Sequence, residues 1–281
     1  MKNLSHERIS RRSFLKGSLC AAGGCLLPHL LFAKAEEIAE DAKPKGNYYL
    51  LQRKQILKDF NDTNEGANQW LTAKYGEKIA NTITDAAKEK FNQLLPLLPD
   101  VGGDRNIMIE EIPVIAWYVA YYHPMKSHGI AAEEMGRMIY DLYNISLQQI
   151  PRREALAEGA KKFTPEYIAR VKKWAAGTQK KEYPPNWVAT FVSGEGKDFD
   201  YGYDYTECAL VKYLNAHGAG EVAPYVCLND FIRSRTYGTG LRRSKTIAQG
   251  DNICNFRYKK GRRVTQDWKT EIQTIREGTH S

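Results

Sequence analysis

Cysteine is scarce in this chain. Five occur in 281 residues, and two of them, Cys20 and Cys25, fall within the first 35. The three that follow, Cys208, Cys227 and Cys254, cannot make a disulfide framework, so a packed core must hold the fold. Long apolar runs are missing after residue 35. The richest, "IPVIAWYVAYY", is too short to span a bilayer and reads as a buried helix. A basic stripe is missing too. The chain has 41 Lys and Arg against 33 Asp and Glu, but the first 35 residues hold six of those bases and one acid. The remainder carries 35 against 32, which gives no footprint for nucleic acid. Lys259, Lys260, Arg262 and Arg263 read as a solvated turn.

What the N-terminus does contain is an address. Ser10-Arg11-Arg12-Ser13-Phe14-Leu15-Lys16 has the twin-arginine pattern, an apolar small-residue stretch follows to Ala33, and "FAKA" supplies an Ala-x-Ala cleavage site before Glu36. Residues 1–35 are therefore expected to be a twin-arginine signal peptide, with the protein exported to the periplasm or another extracytoplasmic space by the twin-arginine machinery. The alternative is a lipid anchor at Cys25, read from "AGGC". About 246 residues remain, ample for a large core.

Two periodicities divide those residues. Residues 36–182 read as helical. Apolar three-and-four spacing predicts helices over 47–59, 64–98, 108–126 with a kink near Pro113, and 131–149. Thr164-Pro165-Glu166 combines an N-cap, a proline at the first helical position and an early acid, so a helix should run from there to about 181. Residues 183–281 read as an α+β region. Strands are expected over 187–192 and 199–205, the second carrying Phe199, Tyr201, Tyr203 and Tyr205 on one face. Helices over 206–217 and 221–233, a hairpin of 241–248 with 253–259 around Gly250-Asp251-Asn252, and a last helix over 264–276 complete the order. The fold class is α+β: helices first, then a ββααββ antiparallel sheet region.

The three late cysteines fall on three separate elements. Cys208 is read in the first turn of a helix, where the dipole favours a thiolate. Cys227 precedes Asp230 by three residues. Cys254 shares a strand face with Phe256 and should point inward. Each could be a small buried hydrophobe, two could form a disulfide, or all three could share a metal ion.

These residues also carry a resemblance. "DYTECALVKYLNAHGAGEVAPYVCLNDF" and "GTGLRRSKTIAQGDNICNFRYKKG" resemble the L-2-amino-thiazoline-4-carboxylic acid hydrolase family over residues 183–261. The set Glu-Cys, Cys-x-x-Asp, Arg-x-x-Thr and Gly-Asp-x-x-Cys-x-Phe-Arg carries it, and Asn255 stands where the family leads one to expect Asp. More distantly, the region resembles the 4-vinyl-reductase small-ligand domain, some members of which bind zinc through cysteines. Cys227 and Cys254 match two such positions, while Thr246 stands where a third cysteine would be. By that resemblance zinc is a candidate cofactor, with Cys208, Cys227 and Cys254 as ligands and Asp230, Glu207 or His217 as a fourth.

The family resemblance implies opening of a 2-aminothiazoline carboxylate ring to a carbamoyl-cysteine. Such a reaction on a small-molecule substrate needs a cation for the carboxylate, an acid or base for the amidine and water, and an electrophile or nucleophile. Arg243 and Arg257, expected on facing strands, are candidates for the first, with Asp251 as a further binding residue. Asp230, Cys208, Cys227 and Cys254 are candidates for the others. Asp251 is also ordinary turn chemistry, and His123 and His128 suit an exposed helix break. The alternative function is a periplasmic small-ligand-binding or sensor protein with a cysteine metal site, which would need its tyrosine face to line an apolar cavity.

Overall fold

In the computed structural model, which describes residues 48–278, the first half is a stack of antiparallel helices. A short α1 (Tyr48–Leu51) leads into α2 (Arg53–Tyr75) and α3 (Glu77–Leu94). The single helix expected over 64–98 is split at Gly76, whose φ of 85° and ψ of 158° end one helix and start the next. Then come α4 (Glu111–Ser127), α5 (Ala132–Gln148), α6 (Arg152–Lys161) and α7 (Pro165–Thr178). Pro113 causes no kink, because α4 begins only at Glu111 and its first turn needs no proline N–H. Thr164 caps α7 as expected, its hydroxyl accepting from the Tyr167 N–H at 3.3 Å. Helix α6 gave no periodic signal because it buries only Ala155 and Gly159. A Cβ at Gly159 would stand 1.7 Å from the Tyr237 carbonyl oxygen, so glycine permits the crossing.

The second half forms one four-stranded antiparallel sheet in the order β1-β2-β4-β3, from β1 (Val188–Ser193), β2 (Tyr201–Glu207), β3 (Leu241–Arg242) and β4 (Cys254–Tyr258). Between β2 and β3 lie α8 (Ala209–Ala216), α9 (Ala223–Val226) and α10 (Asn229–Tyr237), and α11 (Trp268–Gly278) closes the chain. The α+β class and the ββααββ order are both present. The expected helix over 221–233 is broken at Cys227 and Leu228 into α9 and α10. The expected hairpin is shorter, since after Arg242 the chain leaves the sheet and returns at Cys254.

Register places Tyr205 opposite Cys254, Tyr203 opposite Phe256 and Tyr201 opposite Tyr258. These six share one face. It packs on α7 through Trp174 and Tyr167, with Phe191 of β1 beside it. That face is filled by protein aromatics. One buried cluster runs from Phe60, stacked on Phe91 at 4.4 Å, through Trp117 to Tyr205 and Cys254, joining helices and sheet. The signal segment, the cleavage site and Cys25 lie outside the described residues.

Candidate active site

The three thiols arrive from different elements. Strand β2 ends at Glu207, so Cys208 is not inside the helix but caps it, with φ −122° and ψ 116°. Its side chain makes no capping hydrogen bond, but the nearby backbone N–H groups of Val211 and then Leu210 favour the thiolate, as a helix N-terminus should. Burial outweighs them and pushes the thiol up to about 11. The expectation of a thiolate at Cys208 is therefore reversed. Cys227 ends α9 and Cys254 opens β4, and burial raises both. The Cys254 thiol donates to Thr246 Oγ1 at 3.6 Å, and Thr246 Oγ1 lies 3.9 Å from Cys227 Sγ. The Ile247 N–H donates to Cys254 Sγ at 3.2 Å. Each of Cys208 and Cys254 further disfavours ionisation of Cys227, so the three form one neighbourhood.

Among the described residues no group of three His, Cys, Asp or Glu side chains is arranged to hold a metal ion. The thiol triad is thus not a preformed zinc site. Of the possible fourth ligands, Glu207 is engaged by Lys181 at 2.6 Å and by Lys212. All three cysteines are free of disulfides.

Arg243 and Asp230 meet beside the thiols. The Arg243 guanidinium lies between the rings of Phe231 and Phe256, 4.9 and 5.1 Å from their centroids. Its Nη1 donates to Asp230 Oδ2 at 2.5 Å and its Nη2 to the Cys227 carbonyl at 3.0 Å. Gln266 bonds its backbone on both sides. The arginine side chain is only 5 % exposed, whereas 37 % of the Asp230 side chain remains accessible. Burial raises the Asp230 carboxyl, with Arg243 and then Arg233 opposing. Asp230 is thus fixed by Arg243 on one side while part of its side chain remains accessible.

Other residues share this combination, and sequence reasoning missed them. Arg233, one helical turn after Asp230 on α10, is 25 % exposed, and its Nη1 donates to Glu111 Oε1 at 3.0 Å. Burial works against its charge, but Tyr143 and Glu111 more than compensate. The Tyr118 hydroxyl, two turns along α4 from Glu111, bonds the Asn229 side chain, and burial raises it. Lys162 stands near Arg233 and Glu111, 5.5 Å over the Tyr237 ring, and is pushed down to about 7 by burial and then by Arg233. Asn229 Oδ1 and Arg233 Nε are buried without hydrogen-bond partners. The available signals were Arg233 at three residues from Asp230 and the pair Glu110-Glu111 opening an apolar helix.

Two predicted binding residues lie elsewhere. Arg257 alternates with Cys254 and so falls on the opposite face, paired with Asp204 at 2.7 Å; its facing residue is Arg242, not Arg243. Asp251 Oδ2 accepts the Thr246 N–H at 2.8 Å, a loop staple. Asn255 does similar work, its Oδ1 accepting from Ser244 and Lys245 N–H at 2.9 and 2.7 Å. His123 and His128 are exposed. An open depression of about 500 Å³ between α2 and α3 is lined by amides and charges such as Asn64, Asn68 and Lys88. It contains none of the motif residues, whereas a small cleft is lined by Arg243 and Thr246 together with Leu228 and Phe231.

The described helices include none long and apolar enough to cross a membrane. No curated protein and no solved structure matches the chain. The family model of L-2-amino-thiazoline-4-carboxylic acid hydrolase matches residues 110–258, just over half of the sequence, a range that includes Glu111, Asp230, Arg233, Arg243 and the three late cysteines. The internal carboxylate, guanidinium and thiols therefore stand within the matched segment, and the chain belongs to the L-2-amino-thiazoline-4-carboxylic acid hydrolase family, named for a hydrolase.

Proposed function

We propose that this protein is an exported hydrolase that opens a small carboxylated cyclic amidine, of the 2-amino-thiazoline-4-carboxylate type, to a carbamoyl-cysteine-type product. The observation that carries the reading is Asp230. One carboxylate oxygen is fixed by Arg243, and 37 % of the side chain remains accessible. Burial raises its proton affinity, with Arg243 and then Arg233 opposing, which is the direction a general base requires.

In the proposed step, Asp230 takes a proton from water as the water oxygen bonds to the ring carbon that carries the amino group. The adduct collapses to a carbonyl, the carbon–sulfur bond breaks, and its electron pair goes to sulfur. Asp230 returns its proton to that sulfur, and the second water proton ends on the ring nitrogen. The product is one water heavier than the substrate and carries a free thiol. Arg243 keeps the Asp230 carboxylate oriented throughout. The thiols of Cys208, Cys227 and Cys254 are protonated at neutral pH in this account and form part of the pocket lining, because burial raises all three. No step runs through a metal, since the residues present do not form a ligand set.

The test is incubation of the purified protein with 2-amino-thiazoline-4-carboxylate, following new thiol and ureido product together. Equal amounts of both are expected. Binding of small apolar ligands with no turnover of any cyclic amidine would replace this reading with the ligand-binding one.

A further inference from the structure

We infer that Arg233, held by Glu111, receives the substrate's carboxylate, and that Arg243 does not. The inference rests on the proposed hydrolase reading and names the specificity residue of that site. Arg243 has both terminal nitrogens engaged by Asp230 and the Cys227 carbonyl, the ring centroids of Phe231 and Phe256 4.9 and 5.1 Å from its guanidinium, and 5 % of its side chain exposed. Arg233 is the reverse. Glu111 takes Nη1 alone. Nη2 has no protein acceptor among the described residues, and Nε is buried with no partner. One whole edge of the guanidinium is thus unused, in the fork geometry that suits a carboxylate.

Position supports the same assignment. Asp230 and Arg233 are three residues apart on α10, which brings their Cβ atoms within roughly 5–6 Å on one face. A carboxylate held by Arg233 sets the far side of a small ring against Asp230. The ligand class is therefore a five-membered ring with a carboxylate across from the carbon to be attacked. Glu111 offsets the Arg233 charge in the empty state, and Lys162 nearby keeps the region favourable to an anion. Glu111 is a positioning residue: it occupies Nη1 of Arg233 and leaves the edge carrying Nε without a partner among the described residues.

The test uses paired substrates on the full chain: 2-amino-thiazoline-4-carboxylate and 2-amino-thiazoline without the carboxylate. Arg233→Lys should raise KM for the carboxylated ring by about tenfold or more, the scale of a lost charge-assisted hydrogen bond, while kcat changes little. It should lower kcat/KM for the decarboxylated ring by a much smaller factor. Glu111→Gln should shift KM in the same direction by less. Equal losses on both rings, or an unchanged KM for the carboxylated one, would overturn the assignment. If wild type hydrolyses neither ring, the hydrolase reading fails. Calorimetric binding of the two rings to wild type and Arg233→Lys then still decides the clamp, since only the carboxylated ring should lose affinity.

Discussion

Arg243 and Asp230 form an ion pair of 2.5 Å whose two members live in different surroundings: the arginine side chain is 5 % exposed, the aspartate 37 %. The cation lies against the rings of Phe231 and Phe256, and part of the anion remains accessible. A guanidinium so enclosed fixes a carboxylate without competing for the ligand.

Asp230→Asn keeps the shape and can still accept from Arg243, but removes the base. Turnover should fall by about a hundredfold or more, with the circular dichroism spectrum unchanged. Wild-type turnover in this variant would remove Asp230 from the chemistry.

Arg243→Met should act on stability first. It leaves Asp230 without its partner, and loss of one member of a buried pair costs roughly 3–5 kcal/mol. Because Asp230 is partly solvated, about 2 kcal/mol is expected, read from urea unfolding. Full stability with only a raised KM would return Arg243 to a substrate-binding role.

The thiols should be slow to react. In a chain with Cys20 and Cys25 replaced by alanine, a disulfide reagent at pH 8 should label Cys208, Cys227 and Cys254 far more slowly before urea is added than after. Cys208 should gain reactivity only as pH climbs toward its raised value of about 11. Fast labelling of the folded protein at pH 7 would restore a thiolate nucleophile.

Glu110 should make stability depend on pH. Its carboxyl is raised to about 7 by burial and then by Glu111, with Arg233 opposing and Asp59 adding to the rise. A carboxyl with a folded value above its unfolded one stabilises below about 4.5, and that contribution is lost as pH rises through about 7. The difference in unfolding free energy between wild type and Glu110→Gln should therefore shift against wild type from pH 4.5 to 8. A difference independent of pH would contradict this.

Export should depend on Arg11 and Arg12. Replacing both with lysine should leave precursor in the cytoplasm, detected by fractionation and by an uncleaved N-terminus. Undiminished export would refute the twin-arginine reading.

The sequence by itself determined whatever depends on neighbours along one element. Met135, Met138 and Ile139 marked the buried face of α5, and Thr164 with Pro165 marked the start of α7. Strand alternation put Tyr201, Tyr203 and Tyr205 on one face, and the same parity separates Arg257 from Cys254. Motif spacing carried the family. Tertiary structure alone decided which ions are sealed and which are open. Arg243 and Arg233 are equally charged and both lie near Asp230, yet one is held against Phe231, Phe256 and the Cys227 carbonyl, while the other hydrogen-bonds Glu111 with one nitrogen among the described residues. The same holds for Cys208, where a helix terminus promised a thiolate and burial prevented it. Desolvation depends on atoms brought from elsewhere in the chain, and no local pattern records them.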